Sequence, residues 1–170
     1  AFLDSNTYSP TKNGGSTVRE IVDSLKLFEG GTYYEFQLHC SSSLNTRSEI
    51  GIPLNGFEAC AREIVENAVK FKNESPVLIE CSVDQYPSSD GEVVRFRFAN
   101  NSKPLGPSEL ANAWKPYWQA DRYYTGEIRG MGLGLSLIAT NVWAAGGVCK
   151  IQNRDYGSGV ELTLVFPVVS

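Results

Sequence analysis

Two groups of residues in this chain have types and spacings that can do chemistry. The first is the stretch RGMGLGLSLIATN (Arg129 to Asn141), which places Gly130, Gly132 and Gly134 at alternate positions, with Met131, Leu133 and Leu135 between and after them. An apolar, helix-compatible run follows directly. A helix N-terminus carries unpaired N–H groups and the positive end of the helix dipole, and it binds anions, phosphates above all. Glycines let those amides approach a ligand without Cβ interference. The same run also serves as a tight helix-packing turn, and a Gly-x-Gly-x-Gly pattern alone does not choose between the two. It is neither a Walker loop, for no Lys-Ser/Thr follows, nor a Rossmann loop, for no strand leads directly into it. The second group is Glu63, Asn67 and Lys70, which helical spacing puts on one face. An Asn carbonyl is a hard oxygen ligand suited to Mg²⁺. A Glu one turn earlier can take a proton from a nucleophile, and a Lys one turn later can meet a phosphate. The alternative is a plain solvated helix face; co-occurrence with the glycine run favours a metal–phosphate site.

These residues need elements to hold them. From Asn55 to Phe71 the pattern is helical, with Phe57, Ala61, Ile64, Val65 and Ala68 forming the apolar side. Ser16 opens a second helix, STVREIVDSLKLF, with Glu20 in its first turn. TYYEFQLHC alternates as a strand with Glu35, Gln37 and His39 on its polar face. VLIECSVDQ and EVVRFRFAN alternate around the turn residues YPSSDG and read as a hairpin, and GVCKIQN and VELTLVF around DYGSG read as another. A helix is expected from about Leu133 to Ala145, stopped by Gly146-Gly147. Residues 100 to 131 lack periodicity and read as a long loop, the kind that in compact domains is usually functional. The order predicts an α+β two-layer sandwich, helices on one face of a mainly antiparallel mixed sheet. Residues 1–15, polar and rich in Pro and Gly, read as a linker or tail, and 16–170 as one domain.

Composition narrows the function. A chain of 170 residues, 42% hydrophobic and 20% charged, suits one globular domain with a real core. A net charge of −4 without a basic run argues against nucleic acid as a partner. No apolar stretch reaches membrane-span length, so no membrane contact is expected in this segment. Cys40, Cys60, Cys81 and Cys149 lie far apart in apolar-patterned segments and read as buried reduced thiols, which fits a cytoplasmic setting. His39 is the single histidine, sits in a strand, and is expected to be a structural surface residue rather than a phosphoacceptor.

In combination the motifs resemble those of a known group. REIVENAVKF (Arg62 to Phe71) resembles the asparagine box of the Bergerat-fold (GHKL) ATPases, the superfamily of gyrase, MutL, the ninety-kilodalton chaperones and sensor histidine kinases. ANAWKPYWQADRYYTGEIRGMGLGLSLI (Ala111 to Ile138) resembles the aromatic box, lid and second glycine box of the histidine kinases, with Trp114 and Tyr117 where two phenylalanines are usual. DYGSGVELTLVFP resembles the terminal hairpin of the same domain, and FLDSNTYSP the segment that leaves the dimerisation helices. The resemblance implies an Mg-ATP-binding domain under a mobile lid. By it, Asn67 holds Mg²⁺, the backbone from Gly130 to Leu135 cradles the phosphates, Lys70 lies near them, Asn100 faces the adenine and Leu105 packs nearby. It implies phosphoryl transfer from ATP to a histidine on a separate dimerisation domain, and from there, indirectly, to a response regulator. Catalysis of such transfer is mainly positioning plus Mg²⁺, and Glu63 and Asn67 are the candidate catalytic residues.

The first glycine box departs from the pattern. Where Asp-Asn-Gly-x-Gly is usual, this chain has NNSKPL: Asn100 replaces the Asp that accepts from the adenine amino group, and Ser102 and Pro104 replace both glycines. Val160 and Glu161 stand where a hydroxyl residue often touches adenine. The expectation is weakened adenine recognition through the Asn100 amide oxygen. The alternative is an amide that donates to a guanine carbonyl. Two other functions remain in play: a gyrase-like ATP-hydrolysing switch in which Glu63 activates water, and a degenerate module that only recognises a partner.

Overall fold

In the computed structural model, residues 14–114, 131–155 and 158–169 are described. Their elements run β1 (Ser16–Thr17), α1 (Val18–Lys26), a 3-10 turn (Leu27–Gly30), β2 (Glu35–Cys40), β3 (Glu49–Ile50), α2 (Leu54–Lys70), β4 (Leu78–Ser88), β5 (Gly91–Asn100), α3 (Pro107–Asn112), α4 (Met131–Ala144), β6 (Val148–Asn153) and β7 (Val160–Val169). The strands form one sheet in the order β1-β3-β7-β5-β4-β2, with β6 also paired to β7. Every pairing is antiparallel except β2 with β4, which is parallel. The mixed two-layer α+β sandwich expected from the sequence is the observed architecture.

Strand alternation decides which face is buried, because successive side chains point to opposite sides of a sheet. Ile79, Cys81 and Val83 of β4, Val94, Phe96 and Phe98 of β5, and Leu162, Leu164 and Phe166 of β7 are all buried. Helix α2 covers this face with the apolar stripe read from its sequence: Phe57, Ala61, Ile64, Val65 and Ala68 are buried. The Phe57 ring lies 4.8 Å from Phe96 and 6.3 Å from Phe166, centroid to centroid. Helices α1 and α4 pack against α2 on either side. The opposite sheet face is polar; there Asp84 and Arg95, directly paired across β4 and β5, form a two-pronged ion pair at 2.6 and 2.9 Å.

Four local readings change. The N-cap of α1 is Thr17, whose hydroxyl accepts from Glu20 N–H at 3.2 Å. Ser16 is drawn one position out of the helix by β1 pairing and donates to the Ile52 carbonyl at 2.8 Å. Inside the stretch read as a loop, Pro107–Asn112 forms α3, a six-residue helix too short to show a period. Helix α4 begins at Met131, so Gly132 and Gly134 lie in its first turn rather than ahead of it. Cys40 is exposed at the end of β2, whereas Cys60 and Cys81 are buried and Cys149 half-buried. Strand β2 is the sheet edge, and its last residue lies outside the helix-covered core. All four thiols are free, and burial pushes those of Cys60 and Cys149 up to about 12. Residues 1–13 of the stretch 1–15 expected as a linker, and residues 115–130, which include Tyr117, Gly130 and most of the expected lid, fall outside the described residues. Among the described residues no helix is long and apolar enough to cross a membrane.

Candidate functional site

A cavity of about 510 Å³ opens where α2, the end of β5, the start of β7 and the segment leading into α3 converge. The topology creates it. Strand β5 ends at Asn100 beside the start of β7, and the chain then turns away from the sheet towards α2. A bridge between Lys72 and Ser102, with Lys103 N–H donating to the Phe71 carbonyl at 3.2 Å, fastens that turn to the end of α2. The two asparagines of the sequence NNS have separate duties. Asn101 faces the start of β4: it accepts from Leu78 N–H at 2.9 Å and donates to the Pro76 carbonyl at 3.0 Å. Asn100 lines the cavity.

Four of the expected site residues, Asn67, Asn100, Leu105 and Leu135, line this one cavity, although 68 positions separate the first from the last. Asn67 is the most informative. Its side-chain Nδ2 is buried and has no hydrogen-bond partner, the single such side-chain atom among the described residues. Leaving a buried polar group unpaired costs about 1–3 kcal/mol, and native structures rarely keep one without a reason. A half-turn about the terminal bond exchanges the amide's nitrogen and oxygen, so this position can offer either a donor or a hard oxygen ligand to whatever fills the cavity.

Asn100 is 5% exposed and rigidly held. Its Oδ1 accepts from Ser102 N–H at 3.0 Å, Ser102 Oγ–H at 2.5 Å and Val160 N–H at 3.3 Å. Its backbone carbonyl accepts from the Arg154 guanidinium at 3.3 Å. Gly159, at φ +137°, passes so close behind it that a Cβ there would run into the same carbonyl oxygen. Only glycine fits both the left-handed backbone and the contact. Leu105 is held by Asn153, whose amide accepts from Leu105 N–H and donates to Leu105 C=O, both at 2.8 Å. Neither Gly159 nor Asn153 stood out in the sequence as a site residue. The DYGSG run flagged a turn, and nothing in local spacing links Asn153 to a partner 48 residues away.

Glu63 and Lys70 are not among the described residues lining the cavity. Lys70 is exposed at the end of α2, with Nζ 5.5 Å from the Phe71 ring centroid. Glu63 is half-buried, and its carboxyl is held above the ordinary range, first by burial and then by Glu66, with Lys70 acting in the opposite direction. The folded state therefore favours the neutral acid. That contribution to stability is present at low pH and is lost as pH rises through the carboxylate range. Glu63→Gln should raise the melting temperature at pH 7, and the gain should vanish once the pH falls below that range. Thermal melts at both pH values check this; a gain independent of pH would rule out the titration as its source. Met131, Gly132, Leu133 and Gly134 form the first turn of α4, whose leading N–H groups have no partner within the helix. Leu135, 1% exposed, connects that turn to the cavity wall.

The chain is similar to known proteins. Residues 54–170 match the family described as histidine kinase-, DNA gyrase B- and HSP90-like ATPase. The hybrid signal transduction protein dokA of Dictyostelium discoideum is 29% identical over 114 residues, covering 67% of this chain and 7% of dokA. The sensor protein CutS of Streptomyces coelicolor is 29% identical over 126 residues, covering 72% of this chain and 29% of CutS. This chain thus spans under a third of either relative's length. Among solved structures, the mycobacterial sensor histidine kinase MprB superposes with a TM-score of 0.68 at 16% identity, over 91% of this chain and 96% of that one. With the asparagine of α2, the cavity beneath it and the glycine-bearing first turn of α4 all within the matched residues, the chain belongs to the histidine kinase-, DNA gyrase B- and HSP90-like ATPase family.

Proposed function

We propose that this chain is the nucleotide-binding catalytic module of a sensor histidine kinase, passing the γ-phosphoryl group of ATP to a histidine on a separate dimerisation domain, with a response regulator as the eventual acceptor. The observation that carries the reading is the unpartnered, buried amide nitrogen of Asn67, a residue on the wall of the 510 Å³ cavity. Mg²⁺ fits that amide. The ion keeps several waters and binds through one or two protein oxygens plus substrate phosphates, so a single Asn carbonyl presented beside a triphosphate is a sufficient protein ligand. Bound there, the metal would supply charge neutralisation on the phosphate oxygens. The chain's own contribution is positioning. Asn67 orients the phosphate end, the leading amides of α4 receive phosphate oxygens, and Leu105 and Leu135 give the base and sugar an apolar wall. His39 is exposed on the edge strand β2 and does not line the cavity, which supports an acceptor histidine elsewhere.

The chain alone should bind nucleotide yet form no phosphohistidine, and adding a dimerisation domain that carries the acceptor histidine should produce transfer. Incubation with γ-labelled ATP, followed by acid-labile phosphate analysis, checks both halves. Rapid ATP hydrolysis by the chain alone, abolished in Glu63→Gln, would instead support the gyrase-like reading, in which the half-buried Glu63 activates water.

A further inference from the structure

Between β5 and α3 the chain forms no helix and only the single bridge at Ser102, yet each backbone donor from Asn101 to Leu105 is used. Asn101 N–H goes to the Leu78 carbonyl at 3.2 Å, Ser102 N–H to Asn100 Oδ1 at 3.0 Å, Lys103 N–H to the Phe71 carbonyl at 3.2 Å and Leu105 N–H to Asn153 Oδ1 at 2.8 Å. Pro104 has no N–H to place. The last of these bonds differs from the rest. It comes from a side chain 48 positions away, and it holds the residue that is 7% exposed and lines the cavity. Asn153 grips Leu105 twice, because Nδ2 of the same amide donates to the Leu105 carbonyl, also at 2.8 Å. One planar amide thus meets both the N–H and the C=O of one residue, as a neighbouring antiparallel strand would. A backbone N–H only donates and a carbonyl only accepts, so these two bonds fix which way round the amide sits. Asn153 is itself seated as the last residue of β6, opposite Val160 of β7, and the next N–H, of Arg154, closes on the Gly159 carbonyl at 2.9 Å.

We propose that Asn153 is a positioning residue for nucleotide binding: acting through Leu105, it holds the apolar wall of the cavity in place before the nucleoside arrives. The inference rests on the cavity being a nucleotide site and deepens that reading. A leucine on a free loop has to be ordered when a ligand packs against it, and that ordering subtracts from affinity; a wall already in place avoids the loss. Pro104 fixes φ on one side of Leu105, and Asn153 fixes Leu105 itself. Without the amide, the Leu105 N–H and C=O lose their partners in a buried place, which favours a shift of the chain towards water and takes the side chain off the wall. The phosphate end is separate. Asn67 and the first turn of α4 stand on helices, whereas both bonds of the Asn153 side chain go to Leu105.

The test is calorimetric titration with ATP, with and without Mg²⁺, of the unmutated chain, Asn153→Ala, Asn153→Asp, Leu105→Ala and the double variant Asn153→Ala with Leu105→Ala. Asn153→Ala should weaken ATP about five- to tenfold. The loss should be the same with and without Mg²⁺, because the metal acts at the other end of the nucleotide. Asn153→Asp keeps the acceptor for Leu105 N–H and loses the donor to Leu105 C=O, so its affinity should fall between the two. In the Leu105→Ala background, Asn153→Ala should cost less than roughly a further twofold, since the residue through which it acts is gone. A structural role alone predicts a lower melting temperature with unchanged affinity below the transition, or a loss that repeats in full on Leu105→Ala. Either result would overturn the inference, as would a loss confined to Mg²⁺-dependent binding. Should Asn153→Ala not fold, the isosteric Asn153→Asp runs the same cycle with Leu105→Ala. In all these cases the nucleotide site stands. Failure of Mg-ATP to bind the unmutated chain would overturn both the inference and the proposed function.

Discussion

Asn67→Ala should remove Mg²⁺-dependent nucleotide binding while the domain stays folded. The two halves of that result have separate causes. Asn67 lies on α2 away from the apolar stripe, and its amide nitrogen makes no hydrogen bond with the protein. Truncation deletes a buried amide nitrogen that has no partner among the described residues, so melting temperature should hold or rise slightly. The ligand loses its one protein-supplied hard oxygen. Mg²⁺ tolerates little departure from octahedral geometry and gives up its waters reluctantly, so the triphosphate–metal complex loses its anchor. Affinity for Mg-ATP should fall on the order of a hundredfold, or about 2.7 kcal/mol, towards the affinity measured with the metal chelated. Asn67→Asp should retain metal dependence. Titrations with and without Mg²⁺, alongside circular dichroism, read this out. Unchanged Mg²⁺-dependent affinity in the alanine variant would remove Asn67 from the metal site.

Phe57→Ala should have the opposite profile, with a large loss of stability and little effect on the site in molecules that remain folded. Phe57 is fully buried and its ring touches those of Phe96 and Phe166, which meet edge to face at 5.9 Å. This cluster joins α2 to the two central strands. Replacing a buried Phe with Ala costs roughly 3–5 kcal/mol, a large part of the ~5–15 kcal/mol that holds a typical domain together. For a domain of this size the melting temperature should drop by about 10 °C or more. The cluster sits ten residues before Asn67, about 15 Å along the helix axis, so nucleotide affinity at low temperature should change less than twofold. Chemical denaturation and low-temperature titration check the two parts. A stability cost below about 1 kcal/mol would mean that the helix is anchored elsewhere.

The sequence by itself determined the elements and their buried faces. The 3.6-residue period of α2 and the alternation of β4, β5 and β7 are local signals, and the residues they marked as apolar are the ones the core buries. The motifs at 62–71 and 111–138 likewise placed Asn67 and Leu135 as site residues, and the cavity brings them to one wall. Other features could not be read locally. Helix α3 is shorter than two turns, and the start of α4 moved by two residues because glycines weaken the local helix signal. Parallel pairing of β2 with β4 depends on a crossover whose direction no single strand encodes. The clearest case is Asn100. From its type alone the amide has an acceptor and a donor of equal standing, and sequence reading favoured the acceptor for the base. In the tertiary structure Val160 N–H arrives from a strand sixty residues later and, with Ser102, takes up that oxygen, a pairing no local signal shows. Residue identity sets which hydrogen bonds a side chain is able to make; which of them are left for a ligand depends on the partners that folding places around it.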